Sequence, residues 1–422
     1  MKFKRLILHL LLLSGMALSM PRSTIHWSGH IERIRAITRA HEFDFVGWTL
    51  NALGIKKAQA ALGAHNYLTI EAQSQLVEEY LALRGYLMTL EREIANIYAD
   101  PILRAPELVA AAYEAELKIY RGLYRQMTPI VESILQQQIS AVIADMGFGI
   151  AGQPIPPVLY HVTELPMALI ISPRYVIRQD ESISLHPDFD LMAREGLEQA
   201  VEQAVNVSAL VVPVGGIGIY PPMVLSTTHL PSLVYVIAHE WTHNYLTLRP
   251  LGLLYDATPQ LRTMNETTAS ISGQEIEAEV LRRFYPHLAP PETEPQQTPP
   301  EEMPEQAPAE PAPFDPRRVL FETRIRVDAL LAEGKIEEAE SYMEQQRQYL
   351  WENGHRIRRL NQAYYAFYGA YADVPGGAAG EDPVGPAVRE LRARSQTLLQ
   401  FIDRISWMTS FDTLQRAVAP AP

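Results

Sequence analysis

Between Leu233 and Tyr245 the chain reads Leu-Val-Tyr-Val-Ile-Ala-His-Glu-Trp-Thr-His-Asn-Tyr, and three of these residues can do chemistry together. Residues four apart on a helix share a face, so His239 and His243 can direct two imidazole nitrogens at one metal ion. Glu240 lies about 100° round the helix from His239, which lets its carboxylate reach a water on that metal instead of the metal itself. Zinc lowers the pKa of such a water towards about 7, where a carboxylate can accept its proton. The chain contains no cysteine. Thiolate ligands, thiolate nucleophiles and disulfides are therefore excluded, and any metal must be held by His and carboxylates.

Every variable position from Val236 to Tyr245 is uncharged, as suits a helix buried behind a metal site. Pro231-Ser232 supplies a helix start. Tetrahedral catalytic zinc takes a third protein ligand and keeps one position open. A His-x-x-Gly-x-x-His continuation is absent, because Leu246 and Arg249 stand where its glycine and last histidine would be. The carboxylates that could complete the set are Glu266, within Met264-Asn265-Glu266-Thr267-Thr268-Ala269, Asp256, and Glu275 or Glu277 further along.

HExxH followed about twenty residues later by Asn-Glu-x-x-Ala resembles the gluzincin metallopeptidases, a broad group that includes thermolysin-like enzymes, over residues 209–284. The resemblance implies a zincin-like core, zinc held by His239, His243 and Glu266, and Glu240 as catalytic base. Ala269 and Gly273 lie three and seven residues beyond Glu266, and small residues on that face would let the second helix approach the first. Two departures stop the resemblance short of a subfamily. Thermolysin-like enzymes carry an Asp four residues after the ligand Glu, and Ser270 stands there. The amine-anchoring Gly-Ala-Met-Glu-Asn segment of the aminopeptidases is missing, and Gly215-Gly216-Ile217-Gly218-Ile219 in a similar region has no acid. The resembled families also pair an extended substrate with an edge strand upstream of the zinc helix, for which residues 209–220 are the candidate, an ordinary buried strand being the equal alternative. Their oxyanion donor is a downstream Tyr or His. The nearest cluster is Tyr364, Tyr365, Tyr368 and Tyr371, with Tyr368 taken as the candidate and Tyr285 and His287 as rivals; such an aromatic stripe also reads as core.

The elements that must position these groups make an α+β, predominantly helical chain. Residues 31–146 carry a helical pattern in which Leu76, Tyr80, Leu83 and Leu87 form one stripe. Pro106 and Pro129 mark helix starts, the second behind a Thr128 cap. Residues 147–157 read as a loop. Short runs at 158–162, 168–177, 182–185 and 209–220 read as strands, with a helix over 190–206 between the last two. Helices over 232–248 and 265–284 complete a catalytic core at 155–288. Residues 290–316 contain ten prolines and seven acidic residues with no basic ones, the composition of an extended linker or an insertion. A C-terminal helical region over 317–417 includes a hairpin turning at Gly334, a Gly/Pro loop at 374–386 and a last helix over 388–407.

The formal net charge is −13, from 49 acidic and 36 basic residues. No Lys/Arg-rich patch stands out, which argues against nucleic acid as a partner. Lys2, Lys4 and Arg5 precede an apolar run over 6–20 that ends in a small-residue pattern, Ala17-Leu18-Ser19. Residues 1–19 thus read as a signal peptide or an N-terminal anchor, the one expected membrane contact. An exported chain without cysteine suits a bacterial envelope, either periplasmic, secreted or anchored at the outer face of the cytoplasmic membrane. The expected partner is a peptide or protein substrate. Two other readings stay open: an envelope binding or scaffold protein braced by a structural zinc, and a zinc amidase acting on a non-protein substrate.

Overall fold

The structure, a computed structural model, describes residues 29–100, 102–289, 314–370, 380 and 382–419. The expected signal or anchor segment, most of the Pro-rich stretch and Tyr371 lie outside the described residues. Among the described residues no helix is long and apolar enough to cross a membrane.

The chain is α+β and mainly helical. It opens with α1 (His30–Thr38), α2 (Phe45–Leu62), α3 (Ile70–Ala99) and α4 (Pro106–Ile143). Pro106 starts α4 as expected, but Pro129 does not start a helix; it lies inside α4. A proline within a helix costs about 3 kcal/mol. Here Val131, Ile134, Leu135 and Ile139 follow it into the main core, and their burial outweighs that cost. The same core joins α3 and α4 to the zinc-motif helix and to the C-terminal helices.

Two small hairpin strands, β1 (Gly149–Ile150) and β2 (Gln153–Pro154), precede the main sheet. That sheet has β4 (Met167–Pro173) between β5 (Glu181–Leu185) and β6 (Val207–Pro213), all antiparallel. Leu169 sits opposite Ile183 on one side and Val211 on the other. Side chains alternate between faces along a strand. Leu169, Ile171 and Val211 pack with α1 and with α5 (Leu191–Val205), while Ala168, Ile170 and Val212 meet Ala363 and Phe367. Burial on both faces explains why β4 is an unbroken apolar run.

The expected strand over 209–220 is two strands in two sheets. β6 ends at Pro213, which has no N–H to extend the ladder. Gly216–Ile217 then forms β7, which pairs with β8 (Met223–Val224), itself paired with β3 (His161–Val162). Next come α6 (Leu230–Leu246), one turn at α7 (Pro250–Leu253) and α8 (Pro259–Phe284). α8 begins six residues before the expected start, capped by the Thr258 hydroxyl, so Glu266 lies in its second turn.

The C-terminal region holds α9 (Pro316–Ala332), α10 (Ile336–Glu352), α11 (Gln362–Tyr368), α12 (Val384–Ala393), α13 (Leu398–Ser406) and α14 (Phe411–Val418). α9 and α10 form the expected hairpin, with Gly334 at φ +77° in its turn. The single helix expected over 388–407 is broken between α12 and α13, where Thr397 caps the second piece.

Candidate metal centre

α6 is buried along most of its length, with Leu233, Val234, Ile237, Ala238 and Trp241 in the core. Its N-terminus is capped by the His229 ring, which accepts from the Ser232 N–H at 3.2 Å. α8 packs closely against it. A Cβ built on Gly273 would stand 3.0 Å from the Tyr235 ring, so the small residue expected on that face is what the approach requires. Buried hydroxyls of Thr242 and Ser272 meet across the same interface at 2.8 Å.

This packing brings His239, His243 and Glu266 together. One ligand atom from each lies within 4.8 Å of the others, so the cluster could hold a metal ion. The Nε2 atoms of the histidines are 3.0 Å apart, and each is 3.6 Å from Glu266 Oε2. Ligand atoms of a tetrahedral zinc at about 2.0–2.1 Å would stand roughly 3.3 Å apart, so the donor set fits. Glu266 Oε2 is also buried with no hydrogen-bond partner among the described residues, a partner that a bound cation would supply.

The three groups also shift one another. Burial works to raise the Glu266 carboxyl, but the charges of the nearby His243 and His239 hold it well below the carboxylate range. Burial likewise works to lower His243, yet Glu266 raises it to about 9. Glu240 is pushed up by burial, against the pull of His239 and His243. Its carboxylate lies under β7. A Cβ on Gly216 would fall 2.4 Å from Glu240 Oε1, and one on Gly218 would fall 3.1 Å from Oε2.

Asn265 and Tyr255 support the cluster from behind. Asn265 Oδ1 lies 2.8 Å from His243 Nδ1, and its Nδ2 donates to the Leu251 carbonyl. The Tyr255 hydroxyl donates to Glu266 Oε1. Burial raises the Tyr255 hydroxyl well above its usual pKa, so it keeps its proton. Asn265 stands in the Asn-Glu-x-x-Ala motif, whereas Tyr255 carries no periodic or motif signal. Tyr255 reaches the site because α7 folds the chain back under α6, and a Cβ on Gly252 there would lie 2.1 Å from the Leu246 carbonyl oxygen. On the other side, His239 Nδ1 and Ser270 Oγ are both buried without partners among the described residues.

A cleft of about 380 Å³ opens over the cluster. Its walls include Gly216–Gly218, Ala168, Ser182 and Ser184 of the main sheet, Tyr255, Asp256, Arg262 and Phe367. Asp256 lines the cleft but does not join the three-ligand group, and Glu275 is held by Arg392 at 2.6 and 2.8 Å. Tyr368 is placed elsewhere: its ring packs on Tyr364 and Phe367, and Phe367 is the residue α11 turns towards the cleft. Tyr285 is buried against Gln138, and His287 pairs with Glu78. The free side of β6 is closed by side chains. Glu198 and Glu202 accept from the Val211 and Ala209 N–H groups, and Asn361 donates to the Ala209 carbonyl. Of the expected substrate strand, Val214 and Gly216–Gly218 line the cleft, while β6 itself does not.

No protein-family model, no curated protein and no solved structure matches the chain.

Proposed function

We propose that the chain is a zinc-dependent hydrolase, acting on peptide bonds, with the gluzincin arrangement of groups. The observation that carries this reading is the convergence of His239, His243 and Glu266 with Glu240 in one cleft. His239, His243 and Glu266 would hold the ion. A zinc there supplies Lewis acidity, lowering the pKa of a water and polarising a carbonyl. Glu240, raised by burial, takes the proton from the attacking water and passes it to the leaving nitrogen. Among the described residues β7 pairs with β8 alone, and it lines the cleft, so an extended peptide can add beside Gly216–Ile217.

The test pairs metal content with activity. The wild-type protein should carry one zinc and cleave a denatured protein substrate. Glu240→Gln should keep the zinc and lose about 10²–10⁴-fold in rate. Zinc-replete Glu240→Gln with undiminished cleavage would overturn the reading.

A further inference from the structure

We infer that Tyr255 and Arg262 are positioning residues for Glu266, joined in a relay that fixes which carboxylate oxygen faces the metal and ties it to α11. The inference rests on the metal-centre reading above.

The two oxygens of Glu266 have different neighbours. Oε1 accepts from the Tyr255 hydroxyl, while Oε2 is the atom 3.6 Å from both histidine Nε2 atoms. A carboxylate free to rotate can give a metal one oxygen or two, and the second would occupy the position that catalytic zinc leaves open. Holding Oε1 on a phenol removes that freedom. The phenol is itself held. Arg262 Nε donates to the Tyr255 oxygen at 3.3 Å, and its Nη1 donates to the Ala366 carbonyl at 3.2 Å. Arg262 is 8% exposed, so this guanidinium acts away from bulk water, where charge-assisted hydrogen bonds are strongest. Ala366 immediately precedes Phe367, which lines the cleft. The relay therefore runs from the cleft wall of α11 through Arg262 and Tyr255 to the third ligand. Tyr255 also stands edge-on to the His243 ring at 6.2 Å, so it touches two of the three ligand side chains.

Zinc affinity of the full chain, measured by competition with a chromophoric chelator, tests the relay. Tyr255→Phe keeps the ring and removes only the donor, and it should weaken zinc binding about 10–100-fold. Arg262→Met should weaken it in the same direction, and Arg262→Lys should recover part of that loss. The double variant should bind no more than about threefold more weakly than Tyr255→Phe, because Arg262 acts through Tyr255. The visible spectrum of the cobalt-substituted protein should change in Tyr255→Phe, while the circular dichroism of the metal-free protein does not. Single variants within twofold of wild type, or effects that multiply in the double, would overturn the relay with the metal centre intact. A wild-type chain that binds neither zinc nor cobalt would remove the metal-centre reading, and the relay with it.

Discussion

His243 and Asn265 are joined through Nδ1 and Oδ1 at 2.8 Å, whereas Nδ1 of His239 has no partner among the described residues. Asn265 donates its amide to the Leu251 carbonyl, which sets its carbonyl oxygen towards His243. In the proposed site His243 would keep a proton on Nδ1 and turn Nε2 towards the metal. Histidine ligands held this way lose about 10–100-fold in metal affinity when the outer partner is removed. Asn265→Ala should show a loss of that size by chelator competition. An unchanged affinity would mean that helix packing alone orients the ring.

Removing the metal should cost stability. The cluster buries two imidazoles and a carboxylate whose Oε2 has no hydrogen-bond partner among the described residues. Zinc at a hundredfold excess over its dissociation constant stabilises a fold by about 2.7 kcal/mol. Dialysis against a chelator should lower the melting temperature, and zinc should restore it. Glu266→Ala should abolish that response to zinc.

A second buried charge cluster makes a prediction about pH. Glu132 accepts from Lys56 at 2.6 Å, Gln59 at 2.8 Å and the Val162 N–H at 2.7 Å, linking α2, α4 and β3. Burial works to raise the Glu132 carboxyl, but its bond to His161 and the Lys56 ammonium hold it below the usual range. A carboxyl lowered in the fold stabilises above its unfolded pKa of 4.5 and loses that contribution as pH falls through the lower folded value. Glu132→Gln leaves Lys56 buried without its counter-charge and should cost about 3–5 kcal/mol at pH 7. The gap to wild type should narrow below about pH 4.5 in urea titrations, because protonation removes the same charge. Adding Lys56→Met to Glu132→Gln should recover part of the loss, because no unpaired charge is then buried and the introduced amide oxygen can still accept from the Val162 N–H.

The HExxH helix and the α9–α10 turn were legible because short-range spacing determines them. His239 and His243 share a face by the period of the helix, and Gly334 marks the hairpin by its backbone conformation. What spacing could not show was where long-range packing overrides local signals. Pro129 reads as a helix start, yet the apolar residues after it carry α4 through. Residues 209–220 read as one strand, yet Pro213 and the side-chain caps on β6 divide its roles. The aromatic run around Tyr368 does not show which side chain of α11 lines the cleft, and in the fold Phe367 does. Tyr255 and Arg262 belong to no motif, and only the fold-back at α7 brings the phenol to Glu266.

Gly216 offers a test that separates the base from the metal. The glycine backbone of β7 lies directly on the Glu240 carboxylate, and a Cβ at 216 would fall 2.4 Å from Oε1 and 2.9 Å from Cδ. The atoms it meets are the far end of one side chain, so the fold can accommodate Ala by moving Glu240. The ligands are touched less: the contact to His243 Cβ comes from position 218, at 3.1 Å. Gly216→Ala should therefore keep zinc affinity and melting temperature near wild type while activity falls. A displacement of about 1 Å in a catalytic group can cost on the order of 10²-fold. The loss should appear in kcat more than in KM, because the base acts in the chemical step. A variant with full activity would show that Glu240 works from another rotamer, and one that loses zinc as well would show that β7 also supports the ligands.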